Sequence, residues 1–119
     1  LVLSKGGTLI IFAPTPEYDV SIKECNLEWF RPSPNSKCTK TIEQVKKERS
    51  NVYFLINEYL DKSILVYNPL PDICFEDICS MTDKHSKPLY VDKHHLSDYA
   101  NSEYLFPGFL SFLEKEKLL

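Results

Sequence analysis

Two short apolar runs separated by a helical pattern constrain the fold of this chain most. Residues 8–14 read TLIIFAP and residues 63–69 read SILVYNP. Continuous runs of this length, rich in β-branched residues, are typical of strands that are buried on both faces of a parallel sheet. Between them, Thr41 and Gln44 match a capping box, and apolar residues then recur at near-helical spacing as far as Asp61. Strand, crossover helix and strand make a βαβ unit, so the sequence predicts an α/β fold with parallel strands.

The size and charge of the chain limit what else it can be. Its 119 residues are enough for one domain. With 14 basic and 17 acidic residues the net charge is −3, so we expect no nucleic-acid partner. No apolar run is long enough to cross a bilayer, and no secretory leader is visible at the start. Because the chain starts at Leu1 instead of a methionine, we expect it to be a piece of a longer protein.

The four cysteines fall into two local pairs. Cys25 and Cys38 are thirteen residues apart, and Cys74 and Cys79 are five apart. These spacings do not supply the Cys-x-x-Cys knuckles of a structural zinc site, whereas they suit two local disulfides and an oxidising compartment. A bridge between Cys25 and Cys38 would also tether the long irregular stretch of residues 14–38. Four reduced thiols in a cytosolic protein are the alternative.

The C-terminal part of the chain is predicted to hold a loop followed by a helix. Residues 69–88 show no periodicity and are interpreted as loop. Ser97 is a typical N-cap residue, and Asp98 in the first turn is favoured by the helix dipole. Pro107 lies inside the last helix and predicts a kink or two shorter helices. The apolar stripe of this helix consists of Leu105, Phe109, Phe112 and Leu113.

The stretch YVDKHHLSDYA, residues 90–100, concentrates reactive side chains. A zinc site there would need further ligands from elsewhere, and the adjacent His94 and His95 should diverge in extended chain, so we expect no metal site. A carboxylate three residues before a histidine can instead accept a hydrogen bond from the imidazole Nδ1–H within a turn. That bond leaves Nε2 free to take a proton from a serine. Asp92 and His95 are candidate catalytic residues on this chemistry, but the spacing is common, and taken alone it favours a polar surface turn.

The residues around this pair resemble a known family. LYVDKHHLSDYA is similar to the last conserved block of the SGNH (GDSL-like) esterases and acyltransferases, and more narrowly to the SGNH domain that follows the membrane part of family-three acyltransferases. The segments IIFAPTPEY and LVYNPLPDICFEDIC are similar to earlier parts of that domain, so the resemblance covers roughly residues 8–112. The pattern Tyr-x-Asp-x-x-His-Leu-Ser is matched by Tyr90, Asp92, His95, Leu96 and Ser97.

This resemblance implies a three-layer, flavodoxin-like α/β fold with helices packed on a parallel sheet. It implies a Ser-His-Asp mechanism in which Asp92 and His95 are catalytic, with no cofactor. The family's nucleophile lies in a Gly-Asp-Ser block that this sequence does not contain, so residues 1–119 are expected to be the C-terminal portion of one SGNH-like domain. The implied partners are a cell-envelope glycan as acceptor, an acyl donor, and a membrane acyltransferase domain in the same parent chain. The implied location is extracytoplasmic, with a tether to the membrane upstream.

Other interpretations of these residues stay open. Without a nucleophile, the chain could be a catalytically inactive, disulfide-tied α/β module for binding or structure, or a small metal-binding domain. Ser97 is better explained as a helix cap than as a nucleophile, and His94 as a surface residue. Tyr18, Trp29 and Phe30 could line an acceptor cleft, although aromatic residues in loops more often pack against the body beneath them.

Overall fold

The computed structural model describes residues 6–25, 36–59 and 64–119, which form short strands and helices with two small sheets. In chain order the strands are β1 (Ile10–Phe12), β2 (Thr39–Thr41), β3 (Leu65–Tyr67), β4 (Cys74–Phe75) and β5 (Ile78–Ser80). The α-helices are α1 (Ile42–Glu48), α2 (Ser50–Tyr59), α3 (Leu70–Ile73), α4 (Asp98–Ala100) and α5 (Phe106–Lys115). Two 3₁₀ turns, Ile22–Cys25 and Ser36–Cys38, precede β2, and a π-helical turn, Asn101–Leu105, joins α4 to α5.

β1 and β3 form a parallel sheet. Ile10 lies opposite Leu65, and Phe12 lies opposite Tyr67. The ladder continues beyond β1, where the backbone N–H of Ala13 donates to the carbonyl of Tyr67 over 2.8 Å. Because α1 and α2 lie between these strands in the sequence, the predicted parallel pairing and the α/β class are confirmed.

β1 is less buried than its apolar sequence predicts. Ile10 and Ile11 are partly buried, and Phe12 is 50% exposed. The Phe12 ring packs against Phe109 of α5, with 4.9 Å between ring centroids, and against Tyr67 at 5.1 Å. The prediction of burial on both faces is wrong for the described part of the chain, because β1 has one paired strand and one packed helix there.

The predicted capping box begins α1. The Thr41 hydroxyl accepts the N–H of Gln44 at 3.0 Å, and the Gln44 side chain accepts the N–H of Thr41 at 2.8 Å. Both donors would otherwise lack a partner at the helix start. The single helix predicted to reach Asp61, which lies outside the described residues, is divided at Arg49, whose φ of −109° and ψ of 26° end α1. The Arg49 guanidinium pairs with Glu17 at 3.2 Å and so ties this break to the segment after β1.

Part of the segment interpreted as loop is regular structure, so that interpretation is wrong there. Residues 69–88 contain α3 and a hairpin formed by β4 and β5. The hairpin turns through Glu76 and Asp77, whose φ values of 52° and 66° are in the left-handed region. β5 also pairs antiparallel with β2, which gives a second sheet in the order β2–β5–β4.

Each disulfide belongs to an apolar cluster. Cys25 is bonded to Cys38 with 5.7 Å between their Cα atoms, and Cys74 to Cys79 with 4.2 Å, which is the pairing expected from the spacing. The buried residues that share the first cluster with Cys25 and Cys38 are Tyr18, Val20, Met81, Leu89, Tyr90 and Ala100. The second cluster contains Val45, Leu70 and Ile73 with the other bridge. Leu96 and Tyr104 pack against both clusters and so connect them.

The C-terminal helical segment runs through Pro107 without a break between its elements. In the π-helical turn ahead of the proline, the N–H of Phe106 donates to the carbonyl of Asn101, five residues back. Pro107 then lies in the first turn of α5, where a proline is tolerated, so the predicted interruption takes the form of a change in helix type. A Cβ at Gly108 would overlap the carboxylate of Asp72, so the glycine leaves room for this side chain. In the described ranges, none of the helices combines the length and apolarity needed to span a membrane.

Candidate active site

Asp92 and His95 lie in a tight loop whose two ends are fixed by backbone pairing. Tyr90 and Leu96 form an antiparallel bridge, and the N–H of Val91 donates to the carbonyl of His95 over 2.9 Å. This pairing brings the two ends of a five-residue segment together, so the segment has to turn back on itself between them. The loop therefore presents its side chains at a defined place on the rim of the fold.

The loop is also anchored to the segment that follows β1. Tyr90 is buried, and its hydroxyl donates to the carbonyl of Pro16 over 3.0 Å. The ring of Tyr18 meets the ring of Tyr90 edge to face, with 5.1 Å between centroids. The backbone N–H of Tyr18 donates to the carbonyl of Lys93 over 2.9 Å. A residue pair at the end of the chain is thus held in place by contacts from its beginning.

Asp92 organises the turn with both oxygens of its carboxylate. Oδ1 accepts the backbone N–H of His94 at 2.9 Å and that of His95 at 2.7 Å. Oδ2 lies 2.7 Å from Nδ1 of His95. The backbone N–H of His94, followed by the ring and backbone N–H groups of His95, lowers the pKa of Asp92 well below its usual range. The carboxylate is therefore ionised at neutral pH and accepts all three hydrogen bonds.

This geometry determines what the imidazole of His95 can do. A neutral imidazole that donates from Nδ1 is an acceptor at Nε2. The His95 side chain is 66% exposed, so an external group can reach it. A carboxylate, an imidazole and an accessible Nε2 are the parts of a general base that takes a proton from a hydroxyl. The structure therefore brings together the two residues that the sequence predicted to be catalytic.

His94 does not point away from His95, and the expected divergence of the two rings is wrong. Their centroids lie 4.2 Å apart, because the residues occupy a turn and not an extended strand. Nδ1 of His94 lies 3.9 Å from Oδ1 of Asp92. Within the described residues, Asp92, His94 and His95 form a group whose potential metal-ligating atoms all lie within 4.8 Å of one another.

Ser97 is a helix cap, as predicted. Its hydroxyl oxygen accepts the N–H of Ala100 at 3.1 Å, and its proton is donated to the carbonyl of Pro88 over 3.0 Å. Only 9% of the residue is exposed. A hydroxyl that is buried and already makes two hydrogen bonds is not available as a nucleophile.

The aromatic residues proposed for an acceptor cleft are only partly described. Trp29 and Phe30 lie outside the described residues. Tyr18 is buried against Tyr90 and supports the loop from beneath. Beside Asp92 and His95 is instead a groove of about 430 Å³, formed by residues 21–23 and 91–94. A larger groove of about 770 Å³ lies against the hairpin of β4 and β5 and does not include Asp92 or His95.

The sequence did not reveal a second aspartate with an organised environment. The carboxylate of Asp83 accepts hydrogen bonds from the hydroxyls of Tyr99 and Tyr104 and from the backbone N–H groups of His85 and Lys87. Burial raises the pKa of this carboxyl, but these hydrogen bonds together outweigh burial and lower the pKa to about 2. The tyrosines are 16 and 21 residues away from Asp83 in the chain, so no local pattern signals the contact. The network fastens the start of the last helical segment to the turn that precedes the loop.

Comparison with known protein families gives a match over most of the chain. A family model described as "SGNH domain (fused to AT3 domains)" matches residues 1–109, which include every residue of the loop and its anchors. Neither a curated protein nor a solved structure matches the chain significantly.

Proposed function

Because the chain belongs to the family of SGNH domains fused to AT3 domains, we propose that it supplies the Asp–His half of an O-acyl transfer site. Family membership supports an SGNH-type acyltransferase or esterase module, and the fusion named for the family supports an AT3 domain in the same parent chain. The finer assignment rests on one observation, the 2.7 Å contact between Oδ2 of Asp92 and Nδ1 of His95. In this assignment His95 is the general base, and Asp92 holds its tautomer and orientation.

The proposed reaction proceeds in two half-reactions. Nε2 of His95 takes the hydroxyl proton of a serine while the serine oxygen attacks the carbonyl carbon of the acyl donor. The protonated imidazole, stabilised by ionised Asp92, then gives that proton to the leaving group as the acyl-serine forms. In the second half-reaction His95 takes the proton of an acceptor hydroxyl, whose oxygen attacks the acyl-serine, and His95 returns that proton to the serine oxygen as the ester bond to serine breaks. Water in place of the acceptor would make the same site an esterase.

The serine and the oxyanion-hole donors are proposed to lie outside this chain. The sequence has no Gly-Asp-Ser block, and the hydroxyl of Ser97 is bonded to Pro88 and Ala100. Residues 1–119 would then be the C-terminal portion of one SGNH-like domain, with the nucleophile on an upstream portion. The fixed position of the loop supports this proposal. If the serine lies on another segment, His95 has to be positioned by contacts that do not involve the serine.

The proposed setting is the extracytoplasmic side of a membrane. The two disulfides support this location, because such bonds persist in oxidising compartments. The AT3 domain of the parent chain would tether the module to the membrane and deliver the acyl donor. The acceptor is proposed to be a hydroxyl of a cell-envelope glycan, which is accessible from that side.

The test is replacement of the base in the full-length parent protein. His95→Gln removes the Nε2 acceptor, and we expect O-acylation of the glycan to fall by about 10³-fold or more. His85→Gln is the matched control, because His85 is also exposed but lies outside the loop, and it should keep normal activity. Both variants have to accumulate to the level of the unchanged protein. Normal acylation by His95→Gln would rule out this mechanism.

A catalytically inactive binding module is the second candidate, favoured by the lack of a Gly-Asp-Ser block in these 119 residues. The two candidates differ in what precedes Leu1. A Gly-Asp-Ser block after a strand in the upstream sequence supports the enzyme, and its absence from the whole parent chain supports the binding module.

A further inference from the structure

We propose that Asp92, His94 and His95 form a site for a divalent transition metal such as Zn²⁺, and that a metal bound there disables His95 as a base. The site departs from the sequence-based expectation of no metal, which depended on diverging histidine side chains. In the structure the two imidazoles instead lie side by side, with 4.2 Å between ring centroids, next to a carboxylate.

The spacing of the potential ligand atoms suits a metal after a small adjustment. Zinc binds imidazole nitrogen and carboxylate oxygen at about 2.0–2.2 Å, which puts neighbouring ligands of a tetrahedral ion roughly 3.3 Å apart. Nδ1 of His95 lies 2.7 Å from Oδ2 of Asp92, and Nδ1 of His94 lies 3.9 Å from Oδ1. The carboxylate therefore faces one ring with each oxygen and would bind an ion with both, with the first distance longer and the second shorter by about 0.6 Å.

The two imidazole side chains can make most of that adjustment, while Oδ1 of Asp92 keeps its backbone hydrogen bonds. The exposed fractions of their surfaces are 48% for Asp92, 53% for His94 and 66% for His95. The backbone of the loop is held separately, by the pairing of Tyr90 with Leu96. Side-chain rotations can therefore close the three ligands around an ion without a change in the fold.

The ligand set indicates the class of metal. Two imidazoles and one carboxylate suit Zn²⁺, Ni²⁺ and Cu²⁺, whereas Mg²⁺ and Ca²⁺ prefer sites made of oxygen atoms. Three protein ligands leave the remaining positions to water, as in an open zinc site. A site of this kind on the surface exchanges its metal with the surroundings.

The effect on His95 follows from its tautomer, and this step rests on the proposed function. A metal on Nδ1 displaces the proton that Nδ1 shares with Asp92. A neutral ring has one N–H proton, so this proton moves through solvent from Nδ1 to Nε2, which becomes a donor and no longer accepts a proton from serine. Metal binding would thus hold the pair in the wrong tautomer for catalysis.

The experiment is a titration of the purified protein with ZnCl₂, followed by calorimetry and by the side-chain nitrogen resonances of its histidines. We expect one zinc ion per chain, with shifts of the His94 and His95 resonances and none for His85. His94→Ala should weaken zinc binding by about tenfold or more, because it removes one of three ligands, whereas His85→Ala should bind as the unchanged protein does. Absence of stoichiometric binding, or equal binding by the two variants, would overturn the site.

A second measurement separates the site from its effect. Saturating zinc should inhibit O-acylation by the full-length parent protein, and the fractional inhibition should be lost in His94→Ala. Stoichiometric zinc binding at His94 and His95 without inhibition would support the metal site and would refute the claim that bound zinc disables His95 as a base.

Discussion

Replacing Ser97 with alanine tests the assignment of this serine as a structural cap. The change removes the hydroxyl that accepts the N–H of Ala100 and donates to the carbonyl of Pro88. Ala100 is fully buried, so its N–H would be left without a partner and out of reach of water. Pro88 is exposed, so water can replace the lost donor at its carbonyl.

The expected cost follows from these two contacts. Loss of a serine N-cap destabilises a protein by about 0.5–2 kcal/mol, and a buried donor without a partner costs about 1–3 kcal/mol. These figures describe largely the same lost hydrogen bond at Ala100, so we expect a total decrease in unfolding free energy of about 2 kcal/mol. Urea denaturation under non-reducing conditions should show a midpoint lower by roughly 1 M.

The matched control is Ser102→Ala. Ser102 is exposed in the π-helical turn, and its hydroxyl makes one contact of 3.4 Å with the carbonyl of Tyr99. We expect a change within about 0.5 kcal/mol for that variant. If Ser97→Ala unfolds at the same urea concentration as the unchanged protein, the capping role is wrong. If the Ser97→Ala variant of the full-length parent protein is stable but has lost all O-acylation, Ser97 is instead the nucleophile.

Two further predictions concern the pH dependence of stability and the disulfides. The folded pKa of Asp83, about 2, lies below its ordinary value of 3.8, so its contribution to stability is complete above pH 4 and is lost as the pH falls toward 2. Tyr99→Phe should lessen this acid-dependent loss, measured by urea denaturation between pH 2 and 6, and an unchanged loss would contradict the network. Replacing Cys25 and Cys38 together with serine should cost about 3 kcal/mol of unfolding free energy, against about 2 kcal/mol for Cys74 and Cys79, because the first bridge closes the longer loop. Equal or reversed losses would show that loop length does not control the two effects.

The features predicted correctly from the sequence depend on neighbouring residues. Thr41 caps Gln44 and Ser97 caps Ala100, each across three residues, so the residue types alone indicate both helix starts. The parallel pairing of β1 with β3 is long-range, but two apolar runs with a helical pattern between them leave few other arrangements.

The hairpin of β4 and β5 was missed because it forms through contacts that produce no periodic pattern of apolar residues in the sequence. The turn of the β4–β5 hairpin uses Glu76 and Asp77 in the left-handed region, where Asn-Gly would have been the usual signal. β4 is two residues long and its partner is three, which is too short for alternation to be visible. The bridge between Cys74 and Cys79 joins directly opposite residues and stabilises a hairpin that its own sequence pattern does not indicate.

The candidate site also combines a local contact that the sequence predicts with long-range contacts that it does not. The bond between Asp92 and His95 spans three residues, so spacing predicts it. The position of the pair in the fold depends on Tyr18 and Pro16, which lie more than seventy residues upstream and hold the loop through Lys93 and Tyr90. The proximity of His94 to His95 depends in turn on how tightly those contacts close the loop. Spacing therefore predicted the contact between Asp92 and His95, whereas the closeness of the two histidine rings became visible only in three dimensions.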